Sequence, residues 1–268
     1  MGSIIEKIQL SYPAFSKMEK RIADYVIHNK ETLLNIHIQE LADNVGVSVA
    51  TITRFCKKIE CESFVEFKIL LRDVVEKASE TDDVADSIDS MYQSVIQASR
   101  SMINKQDLKT ACEWIQEAGT IHIYGLSSSG LTARELKTRL LRMGYTVDAH
   151  TDSHTMLINA SILKETDLVI AISNSGQTQE VIDAVQLAKR KNARVITFTN
   201  YKETKLSDSS DLLLFSSSLK VYEQKGLMNS QLSIVYLLDI LSMMLLLDED
   251  ASNHHKQTLE ALDEHKKI

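Results

Sequence analysis

Residues 168–181, Leu-Val-Ile-Ala-Ile-Ser-Asn-Ser-Gly-Gln-Thr-Gln-Glu-Val, constrain the chain more than any other stretch. The apolar run Leu168 to Ile172 predicts a strand buried on both faces, as in a parallel sheet. It breaks into Ser173, Asn174, Ser175, Gly176, Gln177 and Thr178, and a helical pattern follows with Val181, Ile182, Val185, Leu187 and Ala188 as its apolar positions. A strand passing through hydroxyls and a glycine into a helix start gathers unpaired N–H groups and the positive end of the helix dipole, a place suited to an anion. No Lys or Arg falls within the loop, so neutral donors and the dipole have to do the holding. An ordinary βα turn with a Ser175 or Thr178 N-cap accounts for one hydroxyl, not for four polar donors.

The surroundings repeat the unit. Thr120–Tyr124, Tyr145–Asp148, Arg194–Thr199 and Leu212–Phe215 read as further strands, and Leu131–Met143, Ser153–Leu163 and Val181–Lys191 as helices. Alternation of this kind predicts an α/β domain over 107–250, a parallel sheet sandwiched by helices. The helical segment Gln231–Leu247 closes it, and 251–268 reads as a polar, helical, loosely attached tail. Gly125–Gly130 is a second loop of glycine and serines between strand and helix. Loops leaving the C-terminal ends of neighbouring parallel strands line one crevice. Ser127, Ser128, Ser129, Ser173, Ser175 and Thr178 are therefore expected to converge on one small molecule, and their chemistry suits a phosphate and the hydroxyls of a sugar. Neither G-x-G-x-x-G nor Gly-Lys-Ser/Thr occurs, which argues against a dinucleotide and excludes a P-loop.

The N-terminal part has a different character. Ser16-x-x-Glu19 is a capping box opening a helix to about residue 29. A short helix, Ile38–Val45, ends at Gly46, and Ser48 caps another from Val49 to Ile59, followed by Phe64–Val75. Helix, glycine turn and a helix opening on hydroxyl residues form the helix-turn-helix plan. Leu41, Ala42, Ile52 and Phe55 are expected to face the core, with Val47 filling the turn. Val49, Ala50, Thr51, Thr53, Arg54 and Lys57 then point outward, with Ser48 at the tip. Small and hydroxylated residues near the tip permit close approach to a major groove; Arg54 reaches a guanine edge or a phosphate, and Lys57 and Lys58 reach phosphates. A plain helical corner with a solvated polar face has the same spacing, so spacing alone leaves both readings open. Residues 1–77 form this all-helical domain, and 78–106 are an acidic linker followed by a helix.

Together these residues resemble a known family. Ser173-Asn-Ser-Gly-Gln-Thr178 and Gly125–Gly130 look like the two signature loops of the SIS (sugar isomerase) phosphosugar-binding domain. Glu40-Leu-Ala…Gly46-Val-Ser…Thr51-Ile-Thr-Arg-Phe-Cys-Lys-Lys58 looks like the RpiR/MurR helix-turn-helix, and the pair in this order resembles the RpiR family of bacterial transcriptional regulators over roughly residues 1–250. The resemblance implies that the α/β domain is flavodoxin-like, that Ser173, Ser175 and Thr178, with Ser129, hold a ligand phosphate, that His154 faces the sugar, and that Glu223 lies where SIS isomerases carry a carboxylate. Two departures stand out: Glu60, Cys61 and Ser63 replace a Gly-Phe pair and a further Gly after the recognition helix, and Ser127 replaces a common Gly.

The expectation is a regulator, not an enzyme: a cytoplasmic homodimer or tetramer binding double-stranded operator DNA, without cofactor or metal, with a sugar phosphate as effector. An aldose–ketose phosphosugar isomerase with an accessory DNA-binding domain is the alternative, with His154 and Glu223 as its only candidate bases. A phosphosugar sensor acting through protein partners leaves Arg54, Lys57 and Lys58 without a purpose. The net charge of −7 gives no hint of nucleic acid, but residues 1–77 balance eleven basic against eleven acidic side chains, so 19 of the 30 basic and 26 of the 37 acidic residues lie in the remainder. The cysteines Cys56, Cys61 and Cys112 have no C-x-x-C spacing and fit a reducing compartment. Met1–Leu10 has no apolar core of a secretion signal, and Leu232–Leu247, interrupted by Ser233, Asp239 and Ser242, is too polar for a membrane span. That run and 88–103 are candidates for dimer contacts or for ordinary core packing.

Overall fold

Caps and apolar spacing account for the N-terminal helices one by one. The computed structural model describes residues 4–79, 84–217 and 231–265, which fall into two compact units, 4–98 and 99–216 with 231–265. The first opens with α1 (Ile4–Ser11), a 3-10 turn (Tyr12–Ala14) and α2 (Lys17–His28). α2 begins at a complete capping box: the Glu19 amide donates to Ser16 Oγ and the Ser16 amide to Glu19 Oε2 at 2.7 Å. After α3 (Lys30–Leu33) come α4 (Ile38–Val45), α5 (Val49–Lys58) and α6 (Phe64–Ser79). Gly46 ends α4 in the left-handed conformation at φ 72°. Ser48 caps α5 by accepting from the Thr51 amide. Ile22, Val26, Leu33, Leu41, Ile52, Phe55 and Phe67 meet in one core, as the spacing of α4 and α5 requires. α1 has no counterpart in the sequence reading, yet its Ile4, Ile5 and Ile8 are buried in that core.

The boundary between the units falls at 98/99, inside α7 (Val84–Met102), whereas the acidic stretch places it near 77. The second unit continues with α8 (Lys105–Glu117), β1 (Ile121–Tyr124), α9 (Ser127–Arg142), β2 (Val147–His150), α10 (Ser153–Ile162), β3 (Leu168–Ile172) and α11 (Gln179–Arg190). It ends with β4 (Arg194–Thr199), α12 (Lys205–Asp208), β5 (Leu212–Phe215), α13 (Leu232–Leu245) and α14 (Glu249–His265). All five strands are parallel, in the order β2-β1-β3-β4-β5. This is the flavodoxin-like order, whose switch point lies between β1 and β3. Ile121, Ile123, Leu168, Ile170 and Ile172 pack on one face with α8, α9 and α13; Tyr124, Val169 and Ala171 pack on the other with α10 and α11. β3 is buried at all five positions because both faces are covered.

Of the two readings left open for the 232–247 run, the packing gives the core: Ile234, Leu237, Leu238, Leu241 and Leu245 of α13 lie in the main cluster. Two expectations need correction. The last segment is not a loosely attached tail throughout, since the Asp248 carboxylate accepts from the Ala251 amide and Ala251 is buried in the same cluster. α9 begins at Ser127, so Ser127, Ser128 and Ser129 form its first turn and the connection from β1 shrinks to Gly125 and Leu126.

Candidate functional site: two helix N-termini at the sheet switch point and an exposed recognition helix

In the second unit the site starts from the sheet. β1 and β3 are neighbours, with Tyr124 opposite Ala171, so the chain leaves both strands at nearly the same height. From there α9 turns to one face of the sheet and α11 to the other, as their core residues show. Their N-termini therefore flank the crevice at the switch point. Three other helices of this unit carry side-chain N-caps: Asn104 on α8, Asp152 on α10 and Thr204 on α12. The N-cap of α13, Gln231, makes no such bond, and neither do those of the two helices at the switch point, Leu126 of α9 and Thr178 of α11. The first amides of these two helices are left for another acceptor, at the positive ends of two helix dipoles.

Hydroxyls complete the crevice. Ser173 Oγ and Thr178 Oγ1 are 3.2 Å apart and bonded, and Ser175 Oγ accepts from the Gln177 amide at 3.2 Å. Gly176 turns the loop at φ 62°, and a Cβ there meets Thr204 Oγ1 at 2.5 Å, so no side chain fits. In the first turn of α9, Ser129 is buried while Ser127 and Ser128 are exposed. Ser127 holds φ 52°, a left-handed backbone that explains why glycine suits this position. His154 is exposed in the first turn of α10, next to the rim at the end of β2. That rim is tied to the first loop by the Gly125 amide donating to the His150 carbonyl and by Arg134 Nη2 donating to Thr151 Oγ1 at 2.9 Å. Glu223 lies outside the described residues.

Two supports escaped the sequence reading. The buried Asn200 donates its amide N–H to the Asn174 carbonyl and its Nδ2 to Ser216 Oγ at 2.8 Å, clamping the 173–178 loop to the end of β5. Buried Thr132 donates to Gln231 Oε1 at 3.1 Å, fixing the first turns of α9 against the start of α13. Asn200 only follows an apolar strand and Thr132 lies in a mixed helical stretch, so neither carries a distinctive signal in the sequence. On the α10 face, Tyr124 Oη donates to Asn159 Oδ1 at 2.7 Å, and His122 Nδ1 lies 3.1 Å from Asn159 Nδ2 and 3.3 Å from His150 Nε2. Burial, then the neighbouring His150, holds His122 below the usual histidine value; burial likewise lowers His150.

The first unit presents the second candidate surface. On α5, Ala50, Arg54 and Lys57 are exposed, Thr51 and Thr53 are half-buried, and Ser48 is exposed at the tip. Val49, expected outward, is half-buried against the core. The Thr53 hydroxyl donates to the Val49 carbonyl at 3.0 Å. Lys58 departs most from expectation. Its Nζ donates to the Ala14 carbonyl at 2.6 Å, pairs with Glu19 Oε2 at 3.0 Å and sits 5.5 Å from the centre of the Phe15 ring. Burial alone raises the Glu19 pKa, but the Ser16 amide and Lys58 outweigh it and hold the carboxyl below its usual range. Arg21 is also used internally, its Nη2 donating to the Val45 carbonyl at the end of α4. Arg54 and Lys57 make no ion pair among the described residues.

After the recognition helix the chain closes a Schellman motif without glycine. The Glu60 amide donates to the Lys57 carbonyl and the Cys61 amide to the Cys56 carbonyl at 2.9 Å, with Glu60 at φ 60°. Cys56 and Cys61 are both buried, and burial pushes the Cys56 thiol up to about 12, which keeps it unreactive. Among the described residues no group of three or more His, Cys, Asp or Glu is placed to hold a metal ion, and no helix is long and apolar enough to cross a membrane.

Comparison with known proteins decides what this combination is. Residues 2–78 match the helix-turn-helix domain of the rpiR family, and residues 114–243 match the SIS domain. An uncharacterized HTH-type transcriptional regulator of Clostridium perfringens is 32% identical over 248 residues, covering 87% of this chain and 89% of its own. The chain belongs to the RpiR family of transcriptional regulators. A second HTH-type regulator, from Caldanaerobacter subterraneus, is 29% identical over 91% of this chain and 90% of its own. Among solved structures, the Vibrio vulnificus NanR protein complexed with ManNAc-6P is 26% identical, covers 97% of both chains and has a TM-score of 0.64. The sugar isomerase domain of an RpiR transcription factor from Sphaerobacter thermophilus covers 68% of this chain and 98% of its own, with a TM-score of 0.60; at 16% identity it shows the fold alone. The RpiR plan, a helix-turn-helix followed by a SIS domain, thus spans both units of this chain.

Proposed function

We propose that this RpiR-family regulator binds operator DNA through α5 and that a sugar phosphate, bound between the N-termini of α9 and α11, modulates that binding. The observation that carries the ligand half is the pair of helix N-termini without side-chain caps, meeting at the sheet's switch point beside Ser129, Ser173, Ser175 and Thr178. A phosphate there accepts from the first amides and the hydroxyls with no cation required. Ser127, Ser128 and His154 stand along the exposed side, where the sugar hydroxyls lie in this reading. The NanR protein, which shares the architecture over almost its whole length, was solved with ManNAc-6P. That supports a sugar phosphate as the ligand class.

The DNA half rests on the exposed face of α5. Ser48, Ala50, Thr51, Thr53 and Arg54 are assigned to the groove and Lys57 to phosphate; Val49 meets DNA only with its outer edge, and Lys58 contributes only if it leaves Glu19. Two copies place two such helices on a palindromic site, half-sites a helical turn or a multiple apart.

The decisive experiment is a gel shift of the full chain on its own upstream region across a panel of sugar phosphates. Salt-sensitive binding altered by one of them is expected. Arg54→Ala is expected to weaken DNA binding about tenfold or more while leaving ligand affinity intact, and Ser175→Ala to do the reverse. Absence of any salt-sensitive DNA binding sinks the regulator reading. Turnover of a phosphosugar that disappears in His154→Ala or Glu223→Ala favours the isomerase instead.

A further inference from the structure

The exposed face of α5 carries a hydrogen-bonded line of side chains. Ser48 Oγ and Thr51 Oγ1 are 2.8 Å apart, and Arg54 Nη2 donates to Thr51 Oγ1 at 3.4 Å. These residues follow at intervals of three along one side of the helix, and the line runs back to its N-terminal tip. Helical side chains lean toward the N-terminus, and the Thr51 hydroxyl holds the guanidinium in that direction. In a helix-turn-helix it is the N-terminal part of the second helix that meets base edges. No carboxylate pairs with Arg54 among the described residues, while Lys58, one turn on, is neutralised by Glu19. One of five guanidinium N–H donors meets Thr51, which leaves a two-pronged edge free. Exposed Ala50 beside it puts no bulk in the way.

We infer that Arg54 reads the O6/N7 edge of a guanine in the major groove, and that Thr51 is the positioning residue that aims it. The assignment rests on the proposed DNA binding and makes one G·C pair per half-site obligatory. A lysine at 54 keeps the charge but cannot make the paired bond.

The test selects binding sites for the full-length protein from a random-sequence duplex library. The selected positions are then compared for wild type, Arg54→Lys, Arg54→Ala, Thr51→Val and Thr51→Ser. Wild type is expected to select one guanine per half-site with about tenfold or greater discrimination. Arg54→Lys and Thr51→Val are expected to lose most of that preference at that position alone, and Thr51→Ser to keep it. Replacing that guanine by 7-deazaguanine, which lacks the N7 acceptor, is expected to weaken wild type about tenfold and Arg54→Ala hardly at all. This last readout does not depend on how well a variant folds.

Three outcomes overturn the inference. Arg54→Ala weakening every duplex equally, with the salt dependence falling by about one phosphate and Arg54→Lys restoring both, assigns Arg54 to the backbone. Full discrimination in Thr51→Val removes the positioning role. Wild type showing no salt-sensitive binding to any duplex removes the DNA-binding reading itself, and with it this assignment.

Discussion

Glu60 and Ser127 hold left-handed backbones at φ 60° and 52° without being glycine. For an L-residue this costs roughly 1–2 kcal/mol. At Glu60 the strain is structural, because the Schellman closure after α5 dictates the conformation; its carboxylate also pairs with Lys7 at 3.0 Å. The Glu60 side chain is 80% exposed, so that pair contributes little. Glu60→Gly is expected to stabilise the first unit by about 0.5 kcal/mol after the extra chain entropy of glycine is counted. Slower hydrogen exchange of the α5 amides measures it; faster exchange means that the ion pair outweighs the backbone strain. Gly176 is the opposite case. Its φ of 62° and the buried Thr204 hydroxyl 2.5 Å from any Cβ leave no room. Gly176→Ala is expected to cost at least ~2 kcal/mol from strain and overpacking together. Trp114 in α8, the only tryptophan in the chain, reports on this unit in a urea titration. An unchanged midpoint disproves the tight contact.

Among elements, α5, α8, α10 and α12 satisfy an early amide with a side chain, while α4, α9, α11 and α13 do not. Of the uncapped four, α9 and α11 are the two that follow the adjacent strands β1 and β3. The paired strands β1 and β2 carry a histidine pair, His122 and His150, bonded across the edge of the sheet. Both imidazoles have folded pKa values below the unfolded 6.5. The unfolded chain then binds more protons, so the stability they contribute is present above pH 6.5 and lost as pH falls through the folded values. The Trp114-monitored melting temperature is expected to drop between pH 7.5 and 5.5, and less steeply in His150→Gln. Parallel slopes for the two proteins rule out the pair as the cause.

For the whole molecule, belonging to the RpiR family joins two units that the contact pattern separates. The proposed regulation makes a quantitative demand on them. If a sugar phosphate changes DNA affinity by some factor, bound DNA changes sugar-phosphate affinity by the same factor. Titrating the effector with and without saturating duplex is expected to reproduce the ratio found in the gel shift, typically about 5- to 150-fold. Unequal ratios mean that the two ligands are not linked through one conformational equilibrium.

Local chemistry in the sequence determined much of this protein. The five strands, the helix-turn-helix with Gly46 and Ser48 at its turn, and the 173–178 loop are written in apolar periodicity and cap residues, which act over a few positions. Local too is the start of β2 at Val147, because the Tyr145 amide, five residues on, donates to the Leu140 carbonyl to close α9. Other features depend on partners distant in the chain. Lys58 looks like a phosphate contact in sequence, but Glu19, 39 residues earlier, draws it in. The 232–245 run fits an interface as well as a core, and only the packing of α8 and α9 over the sheet made it core. The crevice of the proposed ligand site is likewise tertiary: strand order set β1 beside β3, and that adjacency brought two uncapped helix starts, more than 40 residues apart in the chain, to one place.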